Sequence, residues 1–402
     1  MYCAFQFDSE VSCMKILGIV AEYDPFHNGH LFHIREAQKK VAPDLTYIML
    51  SPCIKQRGEL SLLSPVDRAR CALTAGADAV FCLPACWTVR DAEHYALGAV
   101  SLLSGLGVTH LAFGAENADP VTLQKAADIL ELPSPGFDSK LNEKLSSGAG
   151  WPSAVAAALS SVFPAADGLL DGANNILAVC YLRAIRRLGV SVHPVVIHRA
   201  GGYHDALIDP AAPSAAALRE ALLRGSYSDA FSALPAETCR ILRRRFLDGC
   251  IPDTRIMDHL LLSRLRSMTD TDLSCLPGLS EGLENALRTA VPSARSRREL
   301  IASLTGKRYP AARISRICAC ALLGLTKSDI EDAPLPKNAL LLGLRKNPEM
   351  TSLWKQSPVP VVSSFTEWKK KAHPADLAAW RLWVQCCRLP DTLPYTETIV
   401  TI

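Results

Sequence analysis

The chain contains no run of uncharged apolar residues long enough to cross a bilayer, which excludes a helical integral membrane protein. Charge of one sign is also scarce. The 43 Lys and Arg against 40 Asp and Glu leave a net +3, so any nucleic-acid surface must be local. The first residues lack the basic start, apolar centre and small-residue cleavage site of a secretory signal. Residues 1–13 read as a disordered extension or the product of an upstream start codon, because the strand pattern begins at Met14-Lys15. The 14 cysteines lack zinc spacing. Cys82 and Cys86 stand four apart and Cys318 and Cys320 two apart, but neither pair has a second pair to match. Scattered through apolar segments, they read as reduced, buried thiols of a cytoplasmic protein with no bound metal. Internal repeats, low-complexity tracts and any nucleophile–base pair are likewise missing.

What remains is a globular chain of 402 residues, 49% apolar and 21% charged, long enough for two or three domains. Its first half alternates strand and helix signals. Strands are predicted at 16–21, 45–50, 79–83 and 109–113, and helices at 31–41, 65–75 and 96–105. This order predicts an α/β fold with a doubly wound parallel sheet. Ligands of such sheets lie beyond the strands' carboxyl ends, where residues 24–30, 51–58, 84–87 and 114–116 fall. Helices at 123–130, 138–145, 174–188 and 214–224 and a strand at 190–198 follow. From about residue 229 helical patterns dominate, with short apolar runs at 338–343 and 358–363 that suggest a small mixed subdomain. The predicted division is an α/β domain over 14–227 and a mainly helical, basic domain over 228–402.

The segment Val20-Ala21-Glu22-Tyr23-Asp24-Pro25-Phe26-His27-Asn28-Gly29-His30-Leu31-Phe32-His33 carries the chemistry. It places two imidazoles, His27 and His30, at a helix start just beyond a strand. There, backbone N–H groups and the helix dipole favour anions, and Gly29 lets a phosphate approach the backbone. His27 and His30 would grip phosphate and stabilise charge at the α-phosphorus of ATP. The competing readings are core histidines, cap donors or, with no third ligand nearby, zinc ligands. Glu22, Tyr23 and Asp24 either orient substrate or a metal, or satisfy the donors of the Pro turn.

Further signals are weaker singly. Gly114, in Phe113-Gly114-Ala115-Glu116, would let a base or ribose lie against the backbone. Of Asn174 and Asn175, one should cap the following helix and the other is free for a nucleotide. Arg199 follows a strand and opens a glycine-containing stretch ending Tyr203-His204-Asp205. It suits a phosphate or carboxylate, or is a plain surface arginine. Ser214 and Arg219 sit on a helix's opening turns as another phosphate grip. Between Arg295 and Arg316 lie seven basic residues, one acidic residue (Glu299) and Tyr309, and Arg240, Arg243, Arg244 and Arg245 form a second cluster. Both patches suit an RNA backbone, or are solvated helix faces.

Taken together, these motifs resemble those of the bacterial tRNA(Met) cytidine acetate ligases, within the nucleotidyltransferases that carry a His-x-Gly-His signature. Besides the long histidine segment, the matches include Gln56-Arg57-Gly58-Glu59, Asn174-Asn175-Ile176-Leu177, Gly202-Tyr203-His204-Asp205 and Lys307-Arg308-Tyr309. They run from about Met14 to Val362. The resemblance implies a nucleotidyltransferase-like Rossmann fold with a mainly helical C-terminal domain. It also implies a ligase in which acetate is activated by ATP as acetyl-adenylate, with Mg2+ as an optional companion. The acetyl group then passes to N4 of the wobble cytidine of elongator tRNA(Met). By resemblance the nucleotide is held by residues 20–33, Gly114, Asn174, Asn175 and Arg199. The alternatives are an adenylyltransferase or ligase for a free metabolite, and an RNA-binding protein with a decayed site. Four places depart from the family pattern. Asp24 replaces a usual Asn, Ser51-Pro52-Cys53 replaces a Ser-Gly-Asn-like turn, Pro65-Val66 replaces a common Lys-Trp, and Ala216 replaces a threonine. Asp24 would then add negative charge beside ATP, and the missing lysine would remove positive charge.

Overall fold

The computed structural model describes residues 14–117, 119–199, 213–280, 282–391 and 398–402. The expected extension over 1–13 and the Gly202-Tyr203-His204-Asp205 motif lie outside them. The apolar run Ile16–Ala21 forms β1 and Leu45–Leu50 forms β2, whose six residues are all buried. They are followed by β3 (Ala79–Cys82), β4 (His110–Ala115) and β5 (His193–His198). These five strands are parallel, in the spatial order β5-β4-β1-β2-β3. Between β1 and β2 runs α1 (Asn28–Val41), and between β2 and β3 runs α2 (Pro65–Thr74). The short α3 (Ala85–Thr88) and the longer α4 (Ala92–Gly105) precede β4. After β4 come α5 (Pro120–Glu131), α6 (Pro135–Ser146), α7 (Trp151–Val162) and α8 (Ala173–Leu188). The chain order reverses at β1, with β2 on one side and β4 on the other. That is the switch point where open parallel sheets take their ligands.

The sequence reading of 338–363 needs correction. No separate mixed subdomain forms. Ala339–Leu344 (β6) pairs antiparallel with β3, and Val361–Val362 (β7) and Val400–Thr401 (β8) pair with β6. The sheet is therefore mixed, with parallel pairing dominant. The reason is edge protection: β3 would otherwise leave its N–H and C=O groups unpaired, and β6 is apolar enough (Ala-Leu-Leu-Leu-Gly-Leu) to be buried there.

Predicted helix starts fall late by a few residues. α1 begins at Asn28 and α4 at Ala92, because polar first turns carry no apolar periodicity. After β5 comes α9 (Ala215–Arg224), and further helices run to Cys386. The main core joins the sheet to residues as distant as Trp380 and Val400. A second apolar cluster, separate from it, is built from residues 261–321, including Leu261, Leu283, Leu300 and Ile317.

Candidate active site

At the switch point a cleft of about 1510 Å³ opens. It is lined by the end of β1, the start of α1, Gly114 on β4, the starts of α7, α8 and α9, and Arg199. Its far wall comes from the second cluster, through Arg297, Arg298, Arg308, Arg313 and Arg316. Of the residues expected to hold nucleotide, Val20, Ala21, Glu22, Tyr23, Asp24, His27, Gly29, His30, Phe32, His33, Gly114, Asn174 and Arg199 line this cleft. Pro25, Phe26, Asn28, Leu31 and Asn175 do not line it. Phe26 is buried edge-on to Tyr23, and Asn28 donates its N–H to the Ala233 carbonyl.

His27 is the N-cap residue of α1 and His30 lies one turn on. Their rings stack, centroids 3.6 Å apart, and the His27 N–H donates to His30 Nδ1 at 3.3 Å. An added Cβ at Gly29 would lie 3.0 Å from the His27 ring, so the glycine makes room for the stack. His27 is 1% exposed, yet neither ring nitrogen has a hydrogen-bond partner among the described residues. Buried polar atoms are almost always satisfied, so these await something. Burial, with Arg199 adding to it, pushes His27 down to about 3. Burial, His27 and Arg199 push His30 well below its ordinary value, and burial and Arg199 bring His33 to about 4. All three rings are neutral at pH 7 and offer N–H donors without charge.

The expected capping role of the Asn pair is not what forms. Gly172 is the N-cap residue of α8. Glu116, at the end of β4, accepts the N–H of Asn174 (3.2 Å) and of Asn175 (2.8 Å). A charged carboxylate gains more from the positive potential at a helix N-terminus than a neutral amide would. Asn174 Nδ2 also donates to Glu116, and its Oδ1 accepts from Arg199 (3.2 Å). Asn175, 4% exposed, accepts the Asn117 N–H instead. Glu116 thus fixes Asn174, and Asn174 fixes Arg199 over the cleft. An added Cβ at Gly114 would meet nothing closer than 4.0 Å, so that strand position is open toward the cleft.

The charge expected from Asp24 is cancelled where it arises. Asp24 is 4% exposed. Its Oδ2 pairs with Lys55 Nζ (3.0 Å) and Arg219 (2.7 Å), and its Oδ1 accepts the Leu62 N–H (2.6 Å). Burial pulls the other way, but these partners hold the carboxyl well below the usual carboxylate range. Pro65 is simply the first residue of α2 behind its Ser64 cap. The cation missing there is supplied to the cleft by Lys55, whose partners also include Glu59 at 3.0 Å. Lys55 was not singled out from the sequence; it is one of three charges, with Arg57 and Glu59, in the loop at the carboxyl end of β2.

The two basic patches differ. In the second, Arg245 pairs with Asp67 and Arg240 with Glu237. In the first, Arg297 donates to the Gly58 carbonyl (3.0 Å) and to the Ser315 hydroxyl, tying the far wall to the loop after β2. Arg298 and Arg308 are exposed at the cleft. Among the described residues no helix is long and apolar enough to cross a membrane, and the cysteines described are free.

Residues 14–392 match the HIGH Nucleotidyl Transferase family. The chain is 31% identical to the tRNA(Met) cytidine acetate ligase of Acetivibrio thermocellus over 94% of its own length and 96% of that protein. It is 35% identical to the enzyme of the same name from Syntrophomonas wolfei, over 79% of this chain and 78% of the relative. Among solved structures it is similar to Thermotoga maritima TmcAL, at 27% identity. The apo form superposes with a TM-score of 0.91, and the form bound with alpha-thio ATP with 0.88; each covers 97% of this chain and 100% of the other.

Proposed function

The chain belongs to the tRNA(Met) cytidine acetate ligase family of HIGH nucleotidyl transferases, and from that membership we propose that it is an ATP-dependent ligase acetylating N4 of the wobble cytidine of elongator tRNA(Met). An acetate oxygen attacks the α-phosphorus of ATP, the bond to the bridging oxygen breaks, and pyrophosphate leaves. The cytidine N4 then attacks the acetyl carbon, its proton is lost, and the bond to AMP breaks. No protein nucleophile is required. His27 and His30 donate hydrogen bonds to the phosphates and to the charge that builds on them during attack. Gly114, Asn174 and Arg199 hold the nucleoside and phosphate from the carboxyl ends of β4 and β5 and the start of α8. Residues before 228 supply the nucleotide side of this crevice, and the basic residues between Arg297 and Arg316 on its far wall face the tRNA.

The observation that carries this reading is the pair of buried nitrogens of His27 at a helix N-terminus, without a partner among the described residues. The carboxylates near it do not suit a protein-held Mg2+, which takes one or two free carboxylates. Asp24 is engaged by two cations, and Glu22 accepts the Gln56 N–H while burial pushes its carboxyl up toward the neutral form. The test is His30→Ala, measured by acetate-dependent ATP–pyrophosphate exchange and by nucleoside mass spectrometry of tRNA(Met). Exchange and N4-acetylcytidine should vanish while tRNA affinity stays within about twofold. Loss of all three together would make His30 a folding residue and remove the main support for the proposal.

A further inference from the structure

The cleft is larger than one nucleotide needs. Its 1510 Å³ exceeds the roughly 300–1,000 Å³ of a small-ligand site, so ATP leaves room for a second occupant on the far side. On that side stands Trp151, 61% exposed, at the first position of α7. A tryptophan left in water at the mouth of a basic cleft is out of place for packing, because its area would be worth more buried. We propose that the indole of Trp151 is a stacking platform for an unpaired base of the tRNA, with Arg298 and Arg308 taking the flanking phosphates; this rests on the ligase reading above.

Three observations support it. First, Trp151 is held rigidly relative to the basic loop: an added Cβ at Gly150 would lie 2.3 Å from the Lys307 carbonyl oxygen, so the α6–α7 turn rests directly on backbone there. Pro152 then stiffens the turn on the other side. Second, the residue after Lys307 is Arg308, exposed and lining the same cleft as Trp151. An aromatic face beside guanidinium groups is the arrangement that binds single-stranded RNA with little regard to base identity. Third, the chemistry demands it. A cytidine in an anticodon loop is stacked on its neighbours, and its N4 cannot reach an acyl-adenylate inside the cleft until that stack is broken. A fixed aromatic platform replaces the lost stacking.

The test is Trp151→Ala and Trp151→Phe, assayed for tRNA(Met) transcript Kd, tRNA KM and ATP KM, with thermal unfolding as a control. Trp151→Ala should raise the tRNA Kd and KM by roughly 5- to 100-fold, the range of one lost base stack. Trp151→Phe should recover part of that, and the tRNA effect should exceed any change in ATP KM at least fivefold. An unchanged tRNA Kd and KM in Trp151→Ala overturns the platform. So does an equal loss for tRNA and ATP with a lowered Tm, which would mean packing. If the wild-type protein shows no acetate-dependent pyrophosphate exchange, it is the ligase reading that fails; tRNA binding by the two variants still decides the platform.

Discussion

Lys55 Nζ lies 3.0 Å from Asp24 Oδ2, and both side chains are almost wholly removed from solvent, 11% and 2% exposed. The pair ties the loop after β2 to the turn after β1, in the cleft that the imidazole stack also lines. Removing one member of a buried pair leaves the other charge uncompensated, which typically costs about 3–5 kcal/mol. Arg219 and the Leu62 N–H remain on Asp24, so Lys55→Met should cost less, on the order of 2 kcal/mol, and raise the ATP KM severalfold. The double variant Asp24→Asn/Lys55→Met should lose less than the sum of the two single losses but stay below wild type, because Arg219 then lacks its carboxylate. Urea denaturation of the four proteins measures the coupling, and strictly additive losses would show that the two groups act apart.

The three depressed imidazoles set a pH dependence. The unfolded chain protonates histidine near 6.5, whereas burial and Arg199 hold His33 at about 4 and His27 at about 3. Between these values the unfolded state binds more protons, so stability is full above about 6.5 and falls as pH drops toward 4. Asp376 opposes this: burial raises it to about 6, which adds stability as pH falls from 6 toward its unfolded value. Burial raises the Glu22 and Asp78 carboxyls as well, whereas Asp24, Glu59 and Asp91 are held low by their partners and side with the imidazoles, so the balance is a net loss in acid. His33→Gln should flatten the slope of unfolding free energy against pH by up to about 1.4 kcal/mol per unit between 4 and 6. An unaltered slope would mean that His33 already titrates as in the unfolded chain.

The same groups couple ATP binding to protons. A triphosphate beside His27 and His30 favours their charged forms, which lie well below neutrality in the free protein, so ATP should bind with proton uptake at about pH 5 and with little or none at pH 8. Calorimetry in buffers of different ionisation enthalpy measures it. No buffer dependence at the lower pH would place the phosphates away from the rings.

Glu116 does at the start of α8 what a helix-capping side chain does, and also orients Asn174. Glu116→Ala should cost about 1–2 kcal/mol and raise the ATP KM, while Glu116→Gln should lose less. A normal ATP KM in Glu116→Ala would mean that Asn174 and Arg199 are positioned without it.

Arg297 and Arg298 are neighbours with different tasks. Arg297→Met removes hydrogen bonds to Gly58 and Ser315 and should lower stability by about 2–3 kcal/mol. Arg298→Glu should leave stability nearly unchanged, weaken tRNA binding and reduce the salt slope by about one. Filter binding across salt concentrations separates the two; an unaltered slope in Arg298→Glu would put the RNA elsewhere.

The five parallel strands, the helix at the histidines and the cleft at their carboxyl ends were legible because each depends on local pattern: apolar runs of strand length, helical periodicity, a turn at Pro25. The boundaries at Asn28 and Ala92 were less so, since polar first turns look like loop. The pairing of β6 with β3 was not legible, because an apolar run of six does not state which edge it will cover. In the site, the histidine segment, Gly114 and Arg199 stood out by residue type. Lys55 and Trp151 did not, since one charge or one indole in a loop has no meaning until its neighbours are known.

Residue order alone determined that a strand ends, the chain turns at proline and a helix starts with two imidazoles, since those events span fewer than fifteen positions and are governed by backbone sterics and periodicity. Only the folded molecule decided that Asp24 is neutral in effect, that Glu116 rather than an asparagine caps α8, and that arginines some 270 positions away face His27 across one cleft. Charge compensation and shared space depend on distances through the interior, which order along a chain does not encode.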